Sequence, residues 1–241
     1  MADSVFESIV VVLPSLDPDY KFEGVVKGLI DAGFKHILAV DDGTCDEKQH
    51  FFSEAEQNEQ VTVLHHGVNK GKGRALKTAF SYVRDNMPDM FGVVTIDGDG
   101  QHLTPDIIKC AQDLIDDNGD RVVLGCRDFD APGVPPRSVA GNKTTNRMFR
   151  ILCGIKISDT QTGLRAIASK YLDRFIAMEG ERFEYETNML LQMKKQGIGF
   201  IEQTITTVYD PNDYSSHYNA VKDSWRIFKV IAKYMFKGKN K

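Results

Sequence analysis

Residues 93–107 read VVTIDGDGQHLTPDI. Val93 to Ile96 are strand formers, and the run stops at Asp97, followed by Gly98, Asp99, Gly100, Gln101 and His102. Strand alternation carried through the acids would put both carboxylates on one side, and the glycines let a ligand come close. Two such charges repel. A hard divalent cation that also binds phosphate oxygens balances them, since Mg²⁺ takes one or two carboxylates plus substrate phosphates. An ordinary acidic turn is the other reading of a bare D-x-D. An EF-hand is excluded, because Ile108 stands where the loop needs a glutamate.

Outward from this stretch, short β-branched runs recur at 8–14, 36–42, 61–66, 92–99, 121–127 and 200–209. Helical patterns separate the early ones, at 22–33, 47–57, 72–86 and 105–117. Apolar runs alternating with amphipathic helices predict an α/β domain with a mostly parallel central sheet covered on both faces. In such sheets ligands bind beyond the carboxyl ends of the strands. The unusual loops fall there: Pro14-Ser15-Leu16-Asp17, Asp41-Asp42-Gly43, Asn69 to Arg74, and Asp97-Gly98-Asp99. The segment 69–80, NKGKGRALKTAF, reads as phosphate binding at a helix start, against the plainer reading of a solvated basic helix start. It is no P-loop, because Gly73 follows Lys72, and no dinucleotide fingerprint, because Leu76 replaces the third glycine. Residues 128–141 read as a proline-rich loop.

A chain of 241 residues with 41% apolar content can bury a sizeable core. Its formal charge of −4 gives no support to a nucleic-acid partner. The four cysteines form no C-x-x-C pair and read as free buried thiols. The N-terminus lacks the basic region of a signal peptide, and no run approaches the ~20 apolar residues of a membrane span. A soluble or peripheral protein is expected.

The ordered motifs DDG (41–43), NKGKGRALKTAF, TIDGDGQH, GCRDF, RSVAGN, DTQTGLRA, ERFEYETNML and SSHYNAVKDSWRI together resemble family 2 glycosyltransferases. Within these they resemble the dolichyl- or polyprenyl-phosphate sugar synthase (dolichol-phosphate mannosyltransferase-like) branch, across residues 8–228. The resemblance implies a GT-A fold, a nucleotide-sugar donor, Mg²⁺ or Mn²⁺, and inversion at the anomeric carbon. By motif, Pro14, Ser15, Leu16, Asp17 and Asp41 would hold base and ribose, with Asp42, Asn69, Lys72, Gly73, Gly98 and His217 elsewhere on the nucleotide sugar. Asp97, Asp99 and Gln101 would hold metal and diphosphate. The first loop departs from the family's P-x-Y/F-N-E, with Leu16 at the aromatic position, which leaves the base open between uridine and guanosine.

A polyprenyl-phosphate acceptor is already ionised at neutral pH and needs cations rather than a strong base, whereas a sugar hydroxyl needs a general base. Arg127, Arg137 and Arg165 match the branch's phosphate-handling positions, and arginine's fork suits that task. Surface ion pairing is the plain alternative for each. Asp159 would orient an arginine or the donor sugar, or act as base for a hydroxyl; Glu184 and Glu186 compete for that role.

The domain is expected over 5–215, with a basic amphipathic helix and tail over 216–241. On a helix, Lys222, Arg226, Lys229, Lys233 and Lys237 share one stripe, which suits an anionic membrane surface or a helix packed on its own domain. The expected place is peripheral, on the cytoplasmic membrane face, with room for a small multi-pass membrane partner. Transfer to a saccharide hydroxyl and a sugar-nucleotide pyrophosphorylase are the rival functions.

Overall fold

The apolar runs become strands β1 (Ile9–Ser15), β2 (His36–Asp41), β3 (Val61–His65), β4 (Gly92–Thr95), β5 (Val122–Arg127), β6 (Arg165–Ala168) and β7 (Phe200–Ile205) in a computed structural model describing residues 2–131, 133–208 and 228–235. Helices α1 (Ala2–Ser8), α2 (Tyr20–Ala32), α3 (His50–Ala55), α4 (Lys72–Asn86), α5 (Thr104–Asp116), α6 (Pro136–Met148), α7 (Leu172–Ile176) and α8 (Glu184–Gln196) surround them. The sheet order is β3-β2-β1-β4-β6-β5-β7. Only β6 runs against its neighbours, so six of these seven strands point the same way.

Period-2 alternation sorts each strand's side chains between two cores. Val10, Val12, Leu38 and Val40 pack with α4, α7 and α8. Ile9, Val11, Leu13, Ile37 and Ala39 pack with α2, α3 and α5. Both faces are thus buried, as the continuous apolar runs require.

Several expectations are corrected. Strand β4 ends at Thr95, so Asp97 and Asp99 lie in the turn beyond it and strand alternation does not align them. Helix α6 begins inside the stretch read as loop, because Pro136 stands in its first turn, where a missing N–H costs nothing. Strand β6, with Arg165 at its head, was not anticipated. Cys45 is exposed, while Cys110, Cys126 and Cys153 are buried.

Residues 228–235 are helical. Ile231 is buried in the same cluster as α4 and α8, Lys229 is exposed, and Lys233 pairs with Glu179. This segment packs on the domain by one face and shows its lysines on another. Lys222, Arg226 and Lys237 lie outside the described residues.

Candidate active site

A cleft of about 630 Å³ opens at the carboxyl ends of β1, β2 and β4. Pro14, Ser15, Leu16, Asp17, Asp42, Asn69, Lys72, Asp97, Gly98 and Asp99 line it, so four separate loops converge. Pro18, Asp19, Lys48, Arg182 and Phe183 also line it and were not singled out from sequence.

The first loop turns at Asp17, whose φ of 48° is left-handed, a conformation aspartate tolerates better than most residues. Cross-links hold it there. The Asp17 amide donates to Thr44 Oγ1 at 3.0 Å, Lys48 Nζ donates to the Asp17 carbonyl at 2.8 Å, and the Cys45 amide donates to Asp17 Oδ1 at 3.0 Å.

The two acids after β2 are enclosed. Asp41, 1% exposed and no part of the cleft lining, accepts from the Thr44 amide, Gln49 and His65. Burial alone would raise its carboxyl; the hydrogen bonds from His65, Gln49 and Thr44 outweigh burial and hold it below the ordinary value. Asp42 accepts from the Lys70 and Gly71 amides at 2.9 and 2.7 Å and bonds His66 at 2.7 Å. It thereby shapes the loop before α4. Asp41 lies behind the cleft, while Asp42 lines it and braces the loop before α4.

The start of α4 is packed on one side by residues 181–185. A Cβ on Gly71, at φ 101°, would stand 2.4 Å from the Glu181 carbonyl oxygen, and one on Gly73 would stand 2.6 Å from Tyr185 Cβ. The Arg74 amide donates to the Glu181 carbonyl at 2.9 Å. The glycines therefore admit residues 181–185; Gly71 and Lys72 line the cleft, and Gly73 lies outside its lining. Arg74 and Lys77 are spent on the Glu181 carboxylate.

Lys72 lies across the acid pair. Its ammonium is 2.6 Å from Asp97 Oδ1 and 3.0 Å from Glu186 Oε1, and 6.0 Å from the Phe183 ring centre. Burial would lower its pKa, but Asp97 and Glu186 more than offset that and raise it. Burial likewise opposes ionisation of Asp97; Lys72, His102 and Arg127 outweigh it and hold Asp97 low. Asp99 goes the other way. Burial and then the Asp97 charge push its carboxyl above the ordinary value. It accepts from the Gln101 amide at 3.0 Å and makes no ion pair among the described residues. His102 receives the Asp97 amide on Nδ1 at 3.3 Å, and burial pushes its pKa down. Gln101 is exposed, outside the cleft lining.

The pair fits a divalent cation of the partial kind. Among the described residues there is no group of three His, Cys, Asp or Glu side chains able to cage a metal. Asp99, lining the cleft, still supplies what Mg²⁺ asks of a protein that leaves other positions to phosphate oxygens.

Arg127 is clamped on Asp159. Its Nε and Nη2 donate at 2.7 and 3.1 Å to a carboxylate with no exposed surface, which also accepts from the Gln161 amide. Both Asp159 oxygens are thus engaged, by Arg127 and by the Gln161 amide. The residue before it is fixed from both sides. Asn142 and Asn146, one turn apart on α6, donate to the Ser158 carbonyl at 2.8 and 2.6 Å, and Ser158 gives its amide and hydroxyl to Glu202, each at 2.6 Å. An asparagine pair at i and i+4 was a legible signal that sequence reasoning passed over.

Arg165 is enclosed and lies outside the cleft lining. It is 1% exposed, bonded to the Thr162 and Glu186 carbonyls at 3.1 and 2.9 Å. Strand β6 is central in the sheet, so its head residue is walled in. Glu184 accepts the Glu181 amide at 3.1 Å at the start of α8. Arg137 falls in the first turn of α6 with its side chain outside the described residues, as is all of His217.

The chain is 28% identical over 234 residues to an uncharacterised protein of Methanocaldococcus jannaschii, covering 95% of this chain and 93% of the relative. It is also 28% identical over 226 residues to the UDP-N-acetylglucosamine–dolichyl-phosphate N-acetylglucosaminyltransferase of Methanococcus voltae, covering 87% and 88%. Among solved structures, glucosyl-3-phosphoglycerate synthase from Mycobacterium tuberculosis, crystallised with Mn²⁺, UDP and phosphoglyceric acid, superposes with a TM-score of 0.72. That match covers 98% of this chain and 82% of the other at 14% identity, and it establishes a shared GT-A architecture. The glycosyl transferase family 2 profile matches residues 22–176, a span holding α4, the acid pair and the clamped Arg127, and this chain belongs to that family.

Proposed function

We propose that this protein moves a sugar from a nucleotide sugar to a polyprenyl phosphate, with inversion at the anomeric carbon. The observation that carries the acceptor half is the Arg127–Asp159 clamp. A hydroxyl acceptor needs a base, and Asp159 is fully enclosed with both oxygens engaged. A phosphate acceptor needs a held cation, and a guanidinium seated on a buried carboxylate is one. The relative from Methanococcus voltae, named for transfer to dolichyl phosphate from a UDP-sugar, supports both the lipid and uridine.

In this reading Pro14 to Asp17 receive base and ribose, and Asp99, with Asp97, would hold Mg²⁺ or Mn²⁺ and the diphosphate. When bound, the cation supplies positive charge against the negative charge that develops on the departing diphosphate. Arg127, with Arg137, steers the acceptor phosphate oxygen toward the anomeric carbon. Arg182 and Lys48 add positive charge to the cleft wall. No described helix is long and apolar enough to cross a membrane. The exposed lysines of the C-terminal helix support docking on an anionic surface, which we assign to the cytoplasmic face.

Donor binding is tested by thermal unfolding. UDP with Mn²⁺ is expected to raise the midpoint, since ligand at a hundred times its Kd adds about 2.7 kcal/mol. GDP is expected to raise it less, and EDTA to cancel most of the gain. A larger shift with GDP would reassign the base; no shift with either would overturn the donor site.

A further inference from the structure

We propose that Lys72 is a resident counter-ion that keeps a divalent metal off Asp97 until a nucleoside diphosphate arrives, so that metal and donor enter the cleft together. This deepens the donor reading above and rests on it.

Asp97 has little room for a second cation. One oxygen is on the Lys72 ammonium at 2.6 Å. The other faces Gly163 so closely that a Cβ there would stand 2.4 Å from it. The ammonium is held from a second side by Glu186, at 3.0 Å. The Lys72 and Glu186 side chains are 15% and 11% exposed and that of Asp97 32%, so two negative charges and one positive meet at the cleft wall with only Asp97 partly open to solvent. Such a cluster is neutralised best when every member is paired. A metal approaching without nucleotide meets Asp99 readily but meets Asp97 with its charge already answered by Lys72.

The same geometry gives a release. Lys72 lines the cleft together with Asp97 and Asp99. Its ammonium sits at the end of a flexible four-carbon stem. A diphosphate in the cleft offers the ammonium phosphate oxygens in exchange for Asp97, and offers a metal the remaining ligands that two carboxylates lack. Release of Asp97 by the nucleotide and capture of Asp97 by the metal are then one linked event. Linkage is reciprocal, so each partner tightens the other by the same factor.

The test is Mn²⁺ binding followed by the electron paramagnetic resonance of the free ion. It is run without nucleotide, and then with UDP against a protein-free Mn²⁺–UDP control. A unit charge at such range shifts a neighbour's ionic equilibrium by about tenfold or more. Lys72→Met is therefore expected to bind Mn²⁺ alone about tenfold tighter than wild type, with less further gain from UDP. Lys72→Arg, which keeps the charge, is expected to resemble wild type. Lys72→Gln repeats the measurement if the methionine variant does not fold. A side chain that merely fills space would leave Mn²⁺ affinity unchanged or weaken it. Mn²⁺ binding no tighter in the uncharged variants, while wild type binds Mn²⁺ and UDP, overturns this inference and leaves the donor reading standing. Failure of wild type to bind Mn²⁺ with either UDP or GDP overturns both.

Discussion

Replacing Asp99 by alanine is expected to lower turnover by about a hundred- to a thousandfold or more, the usual cost of losing a group that stabilises developing charge. The expectation rests on its position. Asp99 lies in the turn past β4, lines the cleft, and is the acid of the pair without a described counter-ion. Its raised carboxyl, caused by burial and then by Asp97, fixes the sign of the effect on folding. An acid raised in the folded state contributes stability below its unfolded pKa and loses it as pH rises through the folded value. At neutral pH the ionised group therefore opposes folding, and the alanine variant should unfold at or above the wild-type temperature. Activity and unfolding midpoint measured together check this. Near-normal turnover of the variant, or full wild-type activity in excess EDTA, would remove the metal role from the acid pair.

Arg127→Met should cost both stability and activity. It leaves Asp159, which has no exposed surface, without the bonds at 2.7 and 3.1 Å. Removing one partner of a buried pair costs about 3–5 kcal/mol, and the arginine's partial exposure brings that nearer to about 2–4 kcal/mol. Adding Asp159→Asn removes the stranded charge and should restore much of the stability. Turnover with lipid phosphate should stay low in the double variant, because the cation itself is missing, while UDP affinity changes little. Urea midpoints, UDP titration and turnover separate these outcomes. A double variant with restored turnover would make the pair a structural strut.

The parts legible in the sequence were those with a strong period or a sharp punctuation. Residues 72–86 were expected as a helix and form α4 with those bounds, because the apolar period is clear and Gly71 stops the chain before it. The strand runs at 36–42 and 61–66 fell within a residue of β2 and β3. Strand β6 was hidden because it is four residues long and opens with Arg165, whose burial depends on carbonyls of Thr162 and Glu186 brought there by the fold. Helix α6 was hidden behind Pro135 and Pro136, which mark a loop as readily as a first turn.

In the site, the D-x-D spacing pointed to Asp97 and Asp99, and both line the cleft. Of the basic residues after β3, Lys72 lines the cleft, whereas the partners of Lys72 and Arg74 were not legible. Lys72 and Arg74 answer Glu186 and Glu181, which lie more than a hundred positions away, and no local pattern shows that. Arg182 and Phe183 escaped for the same reason. They reach the cleft because Gly71 and Gly73 leave room for their segment.

The most direct measurement is transfer of labelled sugar from a UDP-sugar to a short polyprenyl phosphate in Mg²⁺ or Mn²⁺, read as label in the lipid phase. The account predicts a lipid-linked sugar bearing one phosphate, released UDP in equal amount, and loss of both in EDTA. Label appearing only on saccharide hydroxyls, with the lipid phosphate inert across UDP- and GDP-sugars, would contradict it.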